Sequence, residues 1–117
     1  MKVLVVEDED SVRQALTTIL TSYGHKVTAA SDVAEGLMLF DREGGFDIVF
    51  TDLSLPGPSG WELADEVKRR SPATPVVLLS GWDIHPEELA ARKSVSLMLA
   101  KPVKIKEMIQ AINNLVG

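Results

Sequence analysis

Residues 46–60 read FDIVFTDLSLPGPSG, and they put an acid at the end of a run that otherwise looks fully buried. Ile48, Val49 and Phe50 lead straight into Asp52, and a Pro-Gly loop comes next. A strand that is apolar on successive residues, not on alternate ones, is covered on both faces. Such strands belong to parallel sheets between two helix layers, where ligands gather at the carboxyl ends of the strands. Asp52 is therefore either an ordinary turn residue or a side chain delivered to a sheet edge for chemistry.

The flanking sequence alternates between two hydrophobic periods. Lys2 to Val6 is a short β-branched run, after which Val12, Ala15, Leu16, Ile19, Leu20 and Tyr23 recur at helical spacing until Gly24. His25 to Ala30 predicts a second strand. Asp32 with Glu35 resembles a capping box, opening a helix that runs to Gly44-Gly45. Asp47 to Thr51 is the third strand, and Ser59 with Glu62 caps a helix through Arg70. Pro75 to Leu79 and Ser96 to Ala100 read as the fourth and fifth strands. Between them HPEELAARKS, residues 85–94, predicts a helix with the poorest apolar face of the set. The last helix carries Ile105, Met108, Ile109, Ile112, Leu115 and Val116 on one face. Strands alternating with helices predict βαβ units, hence an α/β, doubly wound, five-stranded parallel sheet in a single domain over residues 1–117.

Composition removes several function classes. The chain has no cysteine, which excludes a disulfide framework and a thiolate metal site. The apolar run at the N-terminus is short and ends in the acids of MKVLVVEDED, unlike a signal peptide. No apolar run approaches the length of a membrane span, so the expected location is the cytoplasm, without membrane association. A net charge of -5 argues against nucleic-acid binding by this domain, which needs a basic face.

The residues just beyond each strand locate the chemistry. Glu7 and Asp8 come after the first strand, Asp52 after the third, Ser80 after the fourth and Lys101 after the fifth. If strands one, three, four and five are neighbours, three carboxylates, a hydroxyl and an ammonium meet at one edge. Two carboxylates about 4 Å apart repel by roughly 4 kcal/mol at an effective dielectric of ~20. A divalent cation removes that penalty, and an all-oxygen site suits Mg2+. The metal also neutralises an incoming phosphoryl group, while the lysine and hydroxyl opposite it hold the remaining oxygens. The residues by themselves point to a site that accepts phosphate on a carboxylate.

Four segments carry a family resemblance: VVED at 5–8, TDLSLPGPSG at 51–60, VVLLSGW at 76–82 and LAKP at 99–102. Together they resemble the receiver domain of bacterial two-component response regulators, over the whole chain. The resemblance implies a flavodoxin-like fold with strand order 2-1-3-4-5, the order of the chemotaxis receiver. It implies that Asp52 takes phosphate from a histidine-kinase or phosphotransfer-protein phosphohistidine, in a self-catalysed reaction and not as a conventional enzyme. Asp8 would bind Mg2+, with Glu7 assisting through water and the backbone carbonyl of Ser54 as a further ligand. Ser80 would move to the phosphoryl group on activation and Lys101 would pair with it. The signal would pass to a downstream protein or to an attached output domain. The Lys101-Pro102 bond would be cis, and the loop after the fourth strand would overhang the site, with Trp82 either shielding Asp52 from water or packing on the next helix. Met98 departs from the family, which usually carries Tyr or Phe there.

Two rivals exist. Asp8-Glu9-Asp10 after a strand resembles the Asp-x-Asp start of haloacid-dehalogenase-type phosphohydrolases. In that reading Glu7 intervenes after the strand, no acidic pair comes after Lys101, and Asp52 has no role. A degenerate receiver kept only for protein binding would have lost part of the acid and lysine set, and none of it is missing. Asp10 is expected to act as the cap of the first helix.

Overall fold

The alternation of strand and helix resolves into one sheet. In the computed structural model, which describes residues 1–81 and 93–116, β1 (Lys2–Val6), β2 (Lys26–Ala30), β3 (Ile48–Asp52), β4 (Val76–Ser80) and β5 (Leu97–Ala100) are all parallel. Their order is β2-β1-β3-β4-β5, so the chain winds in both directions from β1. Four helices are described: α1 (Asp10–Ser22), α2 (Val33–Glu43), α3 (Gly60–Arg70) and α4 (Ile105–Leu115). The expected helix at HPEELAARKS, and Trp82 with it, lie outside the described residues except for Lys93 and Ser94.

Strand periodicity explains why the central strands are apolar throughout. Successive side chains point to opposite faces. Leu4, Val6, Val49 and Leu78 face α2 and α3, where they meet Leu39, Phe40, Leu63 and Val67. Val3, Val5, Ile48, Phe50, Val77 and Leu79 face α1 and α4, where they meet Leu16, Leu20, Met108 and Ile112. Every residue of β3 and β4 is buried. Met98 packs against the first of these cores, as an apolar strand residue should. No described helix is long and apolar enough to cross a membrane.

Boundaries differ from expectation by one residue where it matters. β3 and β4 end on Asp52 and Ser80, not before them. The ladder continues because Asp52 is in register with Leu79 and Ser80 with Ala100, while the Leu53 N–H donates to the Leu79 carbonyl at 3.0 Å. The caps also differ. Glu9 occupies the N-cap of α1, and Asp10 is the first helical residue, where its carboxylate accepts from Arg13. Ser59 sits at the N-cap of α3 without a side-chain cap bond; its carbonyl accepts from Glu62 and Leu63 instead. At α2, Asp32 Oδ1 accepts from the Glu35 N–H at 2.8 Å, but Glu35 Oε1 reaches back to the Ser31 N–H at 2.7 Å, one residue beyond the usual reciprocal partner.

Candidate functional site

A parallel sheet brings the ends of β1, β3, β4 and β5 to one edge, and the expected residues meet there. Carboxylate oxygens of Glu7, Asp8 and Asp52 lie within 4.8 Å of one another. Glu7 and Asp52 are buried and Asp8 is exposed, so the acid group has a closed side and an open side. Asp52, Leu53, Ser54, Ser80, Gly81 and Lys101 line an adjoining cleft of about 280 Å³. Ser80 is buried at its wall. The Ser54 N–H approaches Asp52 Oδ1 at 3.4 Å, a long contact.

Lys101 links the acids. Its Nζ donates to Asp52 Oδ2 at 2.9 Å and to Glu7 Oε1 at 3.0 Å. The lysine is set in place by β5, whose last rung continues as the Lys101 N–H donating to the Ser80 carbonyl at 2.8 Å. The Lys101-Pro102 peptide bond is cis, as expected.

The electrostatics come from burial. Loss of solvent pushes the Glu7 carboxyl up to about 7; the hydrogen bond from Lys101 opposes this, and the neighbouring Asp52 adds to it. For Lys101, burial favours the neutral amine, but the bonds to Asp52 and Glu7 outweigh it and hold the pKa above the ordinary lysine value. One ammonium thus faces three acids, so the carboxylates of the group outnumber the cation that bridges two of them. An all-oxygen, acid-rich cluster of this kind fits a hard divalent cation such as Mg2+.

Two positioning features have only faint signatures in the sequence. Gly60, the first residue of α3, lies against the end of β3. A Cβ there would come within 2.3 Å of the Asp52 carbonyl oxygen and 3.0 Å of Leu53 Cα. Arg13 reaches from α1 back to the Glu7 carbonyl at 2.9 Å. An arginine in the first turn of a helix, where a cation opposes the helix dipole, was the available hint.

Residues 3–113 match the family described as the response regulator receiver domain. The chain is 34% identical over 112 residues to the transcriptional regulatory protein GlrR of Escherichia coli K12, covering 95% of this chain and 25% of GlrR. It spans between a quarter and about half of the length of the curated relatives that it matches. Among solved structures, a response regulator receiver domain protein from Clostridium thermocellum superposes with a TM-score of 0.88 at 32% identity, over 98% of this chain and 93% of that one. The response regulator TrrA of Thermotoga maritima, crystallised in complex with Mg2+-BeF, superposes with a TM-score of 0.86 at 26% identity, over 97% of both chains.

Proposed function

The chain belongs to the response regulator receiver domain family of two-component signalling, and on that premise we propose that residues 1–117 form one phosphoacceptor domain with Asp52 as the acceptor. The observation that carries this reading is the bridge of Lys101 Nζ to Asp52 and Glu7 beside the acid cluster. An Asp52 carboxylate oxygen attacks the phosphorus of a phosphohistidine on a histidine kinase or phosphotransfer protein. The new O–P bond forms as the P–N bond breaks, and the imidazole leaves with the electron pair and takes up a proton. Reversal of the signal is attack by water on the same phosphorus, with the Asp52 carboxylate as leaving group.

Glu7, Asp8, Asp52 and the Ser54 carbonyl are the residues that would hold Mg2+. When bound, the ion supplies charge neutralisation for the acids and the transferring phosphoryl oxygens. The chain's own groups do the rest. Asp52 is presented on the rigid end of β3. Lys101, already within hydrogen-bond reach of Asp52 Oδ2, is placed to exchange a carboxylate oxygen for a phosphoryl oxygen. Ser80, on the cleft wall, would donate its hydroxyl to another, and this shift of Ser80 and Lys101 is the start of the signal. Met98, half-buried and packed against the core, stands where the family usually carries an aromatic residue. The phosphorylated state would act on a downstream protein or on an attached output domain. We assign the reaction to the cytoplasm, where kinase phosphohistidines face.

The test is labelling by acetyl phosphate, with intact-protein mass as the readout. Wild type should gain one phosphoryl group only with Mg2+ present, and Asp52→Asn should gain none. Undiminished labelling of Asp52→Asn, with loss in Asp8→Asn, would move the acceptor to Asp8 and favour the hydrolase reading.

A further inference from the structure

We propose that Arg13 is a positioning residue for the acid turn, fixing the Glu7–Asp8 peptide so that both carboxylates present their oxygens to a divalent cation. The inference rests on the reading of the acid cluster as a metal site.

The helix dipole does not account for Arg13. It stands in the first turn of α1, where the helix dipole favours anions and disfavours a guanidinium. Its side chain is nevertheless held in, 22% exposed, and turned back toward the sheet. One arm donates from Nη1 to the Glu7 carbonyl at 2.9 Å. The other donates from Nη2 to Asp10 Oδ1.

The contact comes where the sheet stops controlling the chain. Val6 is the last β1 residue in register with β3, opposite Thr51. One residue later, the Glu7 N–H is still held by β2, donating to the Ala30 carbonyl at 3.0 Å. The Glu7 carbonyl finds its donor in Arg13. Because a peptide unit is planar, fixing the direction of that carbonyl fixes ψ of Glu7 and with it the positions of the Asp8 nitrogen and Cα. That rotation sets where Asp8 leaves the chain relative to Glu7. A swing there would separate the carboxylate oxygens that now lie within 4.8 Å of one another.

Charge acts in the other direction, since a guanidinium near a cation site repels the cation. Asp10 answers that charge directly, and the remainder is screened at a partly exposed position. Loss of positioning therefore outweighs relief of repulsion, and removing Arg13 weakens cation binding.

Calorimetric titration of the chain with Mg2+ tests this, with thermal midpoints measured in chelator as a separate readout of folding. Arg13→Met should weaken Mg2+ binding by about 10-fold, the lower end of what losing a group that orients a ligand costs. Arg13→Lys, which keeps a charged donor on a shorter and less directed arm, should fall between Arg13→Met and wild type. Asp8→Asn serves as the reference for a lost ligand. Wild-type affinity in Arg13→Met and Arg13→Lys, with binding lost in Asp8→Asn, overturns the inference and leaves the metal site standing. A lowered midpoint with unchanged affinity also overturns it, because that is the mark of a merely structural contact. Wild-type affinity in Asp8→Asn overturns the metal site itself and the inference with it. Should Arg13→Met fail to fold, Arg13→Lys decides alone: weakened binding supports the proposal and wild-type affinity sinks it.

Discussion

Lys101 Nζ stands 2.9 Å from Asp52 Oδ2 and, on its other side, 3.0 Å from Glu7 Oε1. A single ammonium thus ties the ends of β1 and β3 to the residue just beyond β5. Removing it strands two buried carboxylates together. Lys101→Met should destabilise the metal-free protein by on the order of 2 kcal/mol, the scale of hydrogen bonds to charged groups. The loss should be smaller at pH 5 than at pH 8, since protonated Glu7 no longer repels Asp52. Urea denaturation in chelator at the two pH values checks this, and an equal loss at both would refute the coupling.

Glu7 gives the metal-free protein a pH-dependent stability of its own. Its carboxyl is raised from 4.5 to about 7, so the folded state binds the proton more tightly than the unfolded chain does. Stability from this group is fully present below pH 4.5 and is lost as pH rises through about 7. The span amounts to about 3 kcal/mol at 1.36 kcal/mol for each pH unit. Glu7→Gln should flatten the decline between pH 5 and pH 8. Unfolding free energies that fall equally steeply in Glu7→Gln would assign the slope to another group.

Mg2+ should stabilise the protein by relieving the mutual repulsion of Glu7, Asp8 and Asp52. At a free concentration near 100 times the dissociation constant, linkage gives about 2.7 kcal/mol. Asp8→Ala, which removes the exposed carboxylate of the three, should abolish most of the response. A thermal titration with the same Mg2+-dependent shift in that variant would contradict the ligand assignment.

Gly60 and Gly36 make a matched pair. A Cβ at Gly60 meets backbone, the Asp52 carbonyl oxygen at 2.3 Å and Leu53 Cα at 3.0 Å, whereas at Gly36 its nearest neighbour is the Val6 side chain at 2.9 Å. Backbone cannot rotate away, so Gly60→Ala should cost roughly 1–3 kcal/mol and slow labelling of Asp52. Gly36→Ala replaces glycine inside a helix, a gain of about 1 kcal/mol that offsets much of its contact. Its labelling rate should stay near wild type. Equal labelling in the two variants would remove Gly60 from any part in holding Asp52.

Much of this protein is written locally, in hydrophobic period. Unbroken apolar runs such as Ile48–Phe50 and Val76–Leu79 specify strands covered on both faces, and helical spacing specifies the layers that cover them. Parallel topology then sends the strand ends to one edge, which is why the sequence alone groups Glu7, Asp8, Asp52, Ser80 and Lys101. The ends of β3 and β4 could not be read as closely. Asp52 and Ser80 remain in the sheet because neighbouring strands still supply hydrogen bonds there.

Tertiary structure decided the features that depend on distance in sequence. Lys101 chooses its two acids across 49 and 94 residues, and no local pattern encodes that choice. The raised Glu7 carboxyl comes from burial by elements packed around the end of β1, not from its neighbours in VVEDED. Asp10 read as a cap and became an ion-pair partner, because Glu9 took the extended backbone of the N-cap and Arg13 offered Asp10 a charge. Sequence determined which groups arrive at the edge; packing determined their charge, their partners and their reach, because those are set by solvent exclusion and by atoms that only the folded chain brings together.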